Sequence, residues 1–197
     1  MRSAFDKLIS WTGLALAAVL IMAGGLLTWA NVFIDNQVTD QLTMQNITMP
    51  EGDALTSLPE ADAEALEPYA GSPMDTGAEA KAYADHYILV HMNESSDGQT
   101  YSEISGQYVQ MTDEQKASEE GQALAGLRQT LFMGSTLRGL LLYGYAFATM
   151  GTIAGIAAIV SFAGAAFLLV LFALGLVHAR RAAKADARVT TPSLATA

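Results

Sequence analysis

Cysteine is absent from the 197 residues. Its absence excludes disulfide staples, thiolate metal sites and a cysteine nucleophile together. Basic residues are scarce, ten against twenty acidic ones, for a formal net charge of −10. Nucleic-acid binding needs concentrated Lys and Arg to displace counterions, so no nucleic-acid partner is expected. Histidine occurs three times, and no glycine-rich phosphate loop, G-x-S-x-G or H-E-x-x-H pattern is present. Proline is nearly confined to one place: four of the five lie between Pro50 and Pro73. That stretch reads as a loop, interrupted by a helical turn in Ala61–Leu66.

Charge is missing from two long runs. None occurs between Lys7 and Asp35, a gap of 27 residues, or between Arg138 and His178, a gap of 39. With 51% hydrophobic residues and a mean hydropathy of +0.27, the chain carries more apolar material than one ordinary soluble domain uses. About 20 residues of helix, at about 1.5 Å each, cross a hydrocarbon core of about 30 Å. Each run is therefore predicted to span a membrane once. The first exceeds a secretory signal core of about 7–15 residues, and the bulky Trp29 disfavours cleavage at Thr28–Ala30, so an uncleaved anchor is expected. Phe5 and Trp11 fall near its inner interface, Trp29 and Phe33 near its outer one.

Orientation follows from charge. Arg2 and Lys7 precede the first run; Arg180, Arg181, Lys184 and Arg188 follow the second. Between Asp35 and Arg138 stand four basic residues, Lys81, Lys116, Arg128 and Arg138, against eighteen acidic ones. Basic flanks stay in the cytoplasm, so both termini are predicted inside and the acidic segment outside. The predicted fold is an all-α membrane protein with two transmembrane helices and a mainly helical extracytoplasmic domain between them. Its divisions are a short tail and first span (1–34), the acidic domain (35–138), an apolar collar and second span (139–178), and a basic tail (179–197).

Within the acidic domain, apolar spacing and caps predict a short helix over Asn36–Met49 that becomes extended before Pro50, and a helix capped by Asp75 or Thr76 running to about Met92. A helix after Thr100 and another from Thr112 onward through Leu124, Leu127 and Leu131 complete it. The 39-residue run would make a helix of about 58 Å, roughly twice what a bilayer needs. Counting back from Arg180 puts the outer hydrocarbon boundary between Thr152 and Ile156. Gly139–Gly151 then forms a collar above it that something must cover. Below the collar, Gly151 and Gly155 form a GxxxG pair, extended loosely by Ala158 and Ser161; in the first run Gly13, Ala17, Gly24 and Gly25 would let another helix approach closely, although glycine is common in membrane helices generally.

Three segments, AYADHYILVH, DGQTYSEIS and GSTLRGLLLYGYAF, together with the N-terminal MRSAFDKLISWTGLALAAVL, resemble an uncharacterised actinobacterial family of two-span membrane proteins. The likeness covers most of the chain except the Pro50–Pro73 loop and the last residues. Some of its members carry the label aromatic ring-opening dioxygenase. Such chemistry beside a diol needs iron held by two histidines and a carboxylate. His178 lies beside Arg180 on the predicted cytoplasmic side, away from His86 and His91. Those two are five residues apart, about 140° around a regular helix. His91 and Glu94 can share a face but make only a pair. No metal, cofactor or catalytic residue is therefore expected, and the protein is predicted not to be an enzyme.

The contacts that remain are those of a binding or assembly surface. Arg138 can reach a lipid phosphate or a carboxylate of its own acidic domain, where such partners are plentiful. Tyr83, Tyr87, Tyr101 and Tyr108 can form an aromatic ligand site or, as helical spacing favours, part of the core. Leu142, Tyr143, Tyr145 and Phe147 of the collar are candidates for contact with lipid or a membrane-protein partner, including a second copy. The function expected first is that of a non-enzymatic accessory subunit or envelope scaffold. The alternative is an extracytoplasmic binding module for a small apolar or lipidic ligand. A deep apolar cavity would favour binding, and a flat collar assembly.

Overall fold

The computed structural model describes residues 2–189; side chains are described for 7–182 and Lys184. Phe5 and the basic residues Arg2 and Arg188 thus lie outside the described side chains. The described residues form eight α-helices: α1 (Arg2–Thr43), α2 (Asp53–Thr56), α3 (Glu60–Leu66), α4 (Gly77–Tyr83), α5 (Leu89–Ser96), α6 (Tyr101–Gln110), α7 (Asp113–Ala117) and α8 (Glu119–Val189). The described residues contain no strand, only one isolated bridge between Thr48 and Pro73. Two compact units divide the chain: residues up to Val32 with those from Thr152 onward, and Phe33–Gly151.

The first unit is an antiparallel pair of helices. Buried or half-buried positions on α1 include Ser10, Leu14, Ala17, Leu20, Gly24, Leu27 and Asn31; on α8 they include Ala154, Gly155, Ala158, Ser161, Ala165, Leu168, Phe172, Gly175 and Ala179. Ser10, Ala17, Gly24 and Asn31 on α1, and Ala158, Ala165, Phe172 and Ala179 on α8, recur every seven residues, the repeat of a left-handed helix pair. Small side chains let the backbones close: a Cβ added to Gly24 would lie 2.9 Å from the Phe162 ring, and one on Gly155 would lie 3.2 Å from the Asn31 side chain. Gly155 thus packs as a seam residue, while Gly151 is buried within the other unit. Hydroxyls inside these apolar helices bond back one turn, Thr28 to the Gly24 carbonyl at 2.8 Å and Ser161 to that of Ala157 at 2.8 Å.

Outside this seam the pair is apolar and uncovered. Leu16, Met22, Leu26 and Trp29 are exposed on α1, as are Ile153, Ile159, Phe167 and Leu174 on α8. Only 11% of the most apolar window of each helix is buried, so both are long and apolar enough to cross a membrane and neither resembles the buried core helix of a soluble protein.

The Phe33–Gly151 unit has its own core, built from Val38, Leu42, Met49, Leu58, Leu66, Met74, Ala80, Ala84, Ile88 and Leu141. Helix α1 runs unbroken to Thr43 instead of giving way to a separate helix at Asn36. No Gly or Pro interrupts it there, and Ile34, Val38 and Leu42 keep one apolar face at four-residue spacing. The chain then turns through Asn46, which has a positive φ of 52°, and residues 47–49 pair with 71–74. The bonds run from Met49 N–H to the Ser72 carbonyl at 2.8 Å and from Met74 N–H to the Ile47 carbonyl at 2.9 Å. These bonds close the base of the proline-rich excursion, and Leu58 and Leu66 anchor it in the core.

Three capping boxes start the later helices: Thr76 with Glu79, Thr100 with Glu103, and Thr112 with Gln115. Two features depart from the sequence-based reading. A π-helical turn at Ala84–Ile88 interrupts what reads as one regular helix. The helix from Thr112 stops at Ala117, because Ser118 is extended and its hydroxyl accepts the Gly121 N–H at 3.2 Å, capping α8. A Cβ at Gly121 would collide with the Gln115 carbonyl of the preceding turn.

Gly77, at the start of α4, sits directly on α8, where an added Cβ would strike Ala148 and come within 3.2 Å of the Tyr145 Cα. Gly77→Val is expected to destabilise the Phe33–Gly151 unit by about 1–3 kcal/mol. Gly106 in α6 has open space around it. Gly106→Ala is expected to stabilise by about 0.5–1 kcal/mol. Thermal melts of the detergent-solubilised chain, followed by circular dichroism, would check both signs.

Candidate functional site

The π-helical turn carries the unit's central charge cluster. Lys81 Nζ donates to Asp85 Oδ2 at 2.6 Å, and the Arg138 guanidinium of α8 donates to Asp85 Oδ1 at 2.7 Å. Arg138 Nε also donates to the Ala84 carbonyl at 3.2 Å. That carbonyl accepts the Leu89 N–H five residues on, the bond that defines the wide turn. Of the two contacts open to Arg138, a lipid phosphate or a carboxylate of its own domain, the side chain makes the second. Burial alone would raise the Asp85 carboxyl, but the hydrogen bonds from Lys81 and Arg138 outweigh it and hold the group below its ordinary value.

A second polar knot lies at the Thr76 cap. Glu79 is buried, and one of its oxygens accepts the Asp75 and Thr76 N–H groups, each at 2.9 Å, and the Thr76 hydroxyl at 2.8 Å; the other accepts the Ser72 hydroxyl at 3.1 Å. Burial again pushes this carboxyl up, and the donors overcome it and lower it. Asp75 moves the other way, raised by burial and by the Glu79 charge. No buried side-chain polar atom lacks a partner among the described residues.

The histidines have separate partners. His86 Nδ1 lies 2.8 Å from Asp62 of α3, and His91 Nδ1 lies 3.2 Å from Glu94. Among the described residues no group of three His, Cys, Asp or Glu side chains is placed to hold a metal ion. The four tyrosines divide into two sets. Tyr83 stacks on Tyr87 at 4.8 Å against the core, and Tyr87 meets His91 edge-on at 4.5 Å. On α6, Tyr101 packs on Phe132, while Tyr108 takes Lys116 and Arg128 over its ring at 5.7 and 5.0 Å.

The collar does not present one continuous face. Leu141 is buried, Leu142 packs partly buried against the core, and Tyr145 lies under the Lys81 ammonium at 5.8 Å. Tyr143 and Phe147 point outward with Leu140 and Met150, and these four form one wall of a groove of about 650 Å³. Ile34, Val38, Leu42 and Leu141 contribute to its lining, as do Phe33, Leu137 and Gly144. The opposite rim is formed by Gln37 and Gln41 on α1 and Gln45 in the turn that follows it, at four-residue spacing. No lining residue is charged. Sequence reading of the collar reaches Tyr143 and Phe147 but not the glutamines. Their i, i+4, i+8 spacing is the available signal, and it becomes legible only once α1 is known to continue past Asn36.

Comparison with protein-family models, with curated proteins and with solved structures gives no match.

Asp85 is held low in the fold, so its contribution to stability is present above its unfolded value and is lost as pH falls through its folded value. Glu79 has the same sign, and Asp75 opposes it in part. Stability of the Phe33–Gly151 unit is expected to hold near neutral pH and to fall once pH drops below about 4. Arg138→Ala should cost about 1.5–3 kcal/mol at pH 7 and shrink this acid dependence. Combined with Asp85→Ala it should cost less than the sum of the two changes, since they share one contact. Denaturant titrations of the four proteins at pH 7 and at about pH 2.5 would measure this.

Proposed function

We propose that the chain is a two-span membrane protein with both termini in the cytoplasm, whose acidic extracytoplasmic domain works as a binding module for an apolar molecule and carries out no chemistry itself. The observation that carries this reading is the groove of about 650 Å³, which lacks any charged lining residue in a segment holding eighteen acidic side chains against four basic ones. Its volume falls within the roughly 300–1,000 Å³ usual for small-molecule sites. An apolar lining with a few uncharged polar groups along one rim suits a ligand that is mostly hydrocarbon.

The membrane part of the reading is supported by the exposed apolar faces of α1 and α8, which need a hydrocarbon environment, and by the small-residue seam that pairs them. The orientation rests on the basic flanks. Single cysteines introduced at Asp53 and Asp186 into this cysteine-free chain should differ in intact cells: an impermeant maleimide labels the first and spares the second. Equal labelling would overturn the topology.

A second reading, an accessory subunit or envelope scaffold, is favoured by the exposure of Leu140, Tyr143, Phe147 and Met150, which can equally meet a partner's helix. The resemblance to actinobacterial two-span proteins is compatible with either. Native mass spectrometry of the chain purified in mild detergent separates them. The binding reading expects a bound small molecule that is lost in the Tyr143→Gln, Phe147→Gln variant. The scaffold reading expects a bound protein or a second copy lost in the same variant.

A further inference from the structure

Three features of the groove bear on the class of its ligand. The glutamine row is the first. Gln37 and Gln41 on α1, and Gln45 in the turn after it, follow the half-buried Ile34 and the buried Val38 and Leu42, each three residues on, so this segment offers apolar side chains inside and amides at the rim. Among the described residues none of the three amides hydrogen-bonds to another side chain of the protein, and each has two donor hydrogens and an acceptor oxygen to give.

Charge is the second. An anionic head would meet a strongly acidic domain, and the two basic residues adjoining the groove walls in sequence or contact are already committed: Arg138, next to Leu137, and Lys81 are both on Asp85. An uncharged head carrying ester or hydroxyl groups meets no such repulsion and matches the amides.

Length and placement are the third. Phe33 and Ile34 are the last residues of the 27-residue uncharged run of α1, and the lining of the groove continues along that helix and into the turn at Gln45. The helical part of this segment, Ile34–Thr43, is about 15 Å long, the length an acyl chain takes in one leaflet of a hydrocarbon core of about 30 Å. In the two-span reading, the uncharged run of α1 that crosses the membrane ends at Phe33 and Ile34, where the lining of the groove begins.

We propose that the groove holds one acyl chain of a membrane lipid with an uncharged head region, the chain lying on Leu140, Tyr143, Phe147 and Met150 and the ester or hydroxyl groups on Gln37, Gln41 and Gln45. The inference rests on the binding reading above and adds the ligand's class and the residues that select it.

The test uses the full chain in nanodiscs containing equal amounts of a glycosyl diacylglycerol and phosphatidylglycerol, released into detergent and weighed intact. The expected result is retention of the uncharged lipid over the anionic one by about tenfold, the size of one or two net hydrogen bonds. Gln37→Leu with Gln41→Leu and Gln45→Leu should keep a bound lipid and bring that ratio to about one. Tyr143→Gln with Phe147→Gln should lose the lipid while circular dichroism stays unchanged. Retention of both lipids equally by the unmodified chain, or a ratio that the glutamine variant leaves unchanged, would overturn the head-group assignment and leave the binding reading standing. Retention of no lipid, with a second copy bound instead, would overturn both.

Discussion

The packing of small and medium side chains at every third and fourth position of α1 and α8 is the constraint on which the rest depends. In the helix pair, Ala17, Gly24, Ala158 and Ala165 bring two backbones close enough for a narrow seam to hold them while their wide apolar faces stay uncovered. In the Phe33–Gly151 unit the same two helices supply Val38, Leu42 and Leu141, on which the short helices assemble. A seam this narrow buries little area, so it cannot by itself outweigh the ordering of two long helices in water. In the proposed two-span arrangement, hydrocarbon around the exposed faces would remove that difficulty, because it leaves helical backbone bonds as the only ones available.

On this frame the charges serve docking. One arginine from α8 reaches a carboxylate fifty-three residues earlier in the chain and shares it with Lys81. The π-helical turn makes the arrangement possible, since it offers the Ala84 carbonyl to Arg138 as well as to the Leu89 N–H. Buried Glu79 does the corresponding work at the Thr76 cap with four neutral donors in place of a cation. Most of the other acidic side chains stay at the surface, where they favour solubility and repel other anions. The uncharged groove is therefore a local exception to the electrostatics of its own unit.

Some of this is legible in the sequence, and the reason is range. Capping boxes act over three residues, so Thr76, Thr100 and Thr112 announce their helices directly. Apolar runs without charge announce long helices for a similar reason. Interruptions are harder: the stop at Ser118 depends on a serine cap inside an otherwise helical stretch, and the turn at Ala84–Ile88 has no composition of its own. A Cβ on Gly155 of the GxxxG pair would lie 3.2 Å from the Asn31 side chain, but the repeat that organises the seam has seven residues and includes alanines that composition does not single out.

By itself the sequence determines that the chain is helical, that two of its helices are long and apolar, and that its basic residues cluster at the ends around an acidic middle. These are properties of local periodicity and of composition, and they survive without knowing who touches whom. Only the tertiary structure decides that Leu142 turns to the core while Tyr143 and Phe147 turn outward, that Arg138 belongs to Asp85, and that Gln37, Gln41 and Gln45 edge a groove. Neighbouring residues on one helix point about 100° apart, and which of them is covered depends on where the partner helix lies, a quantity no short window of sequence contains.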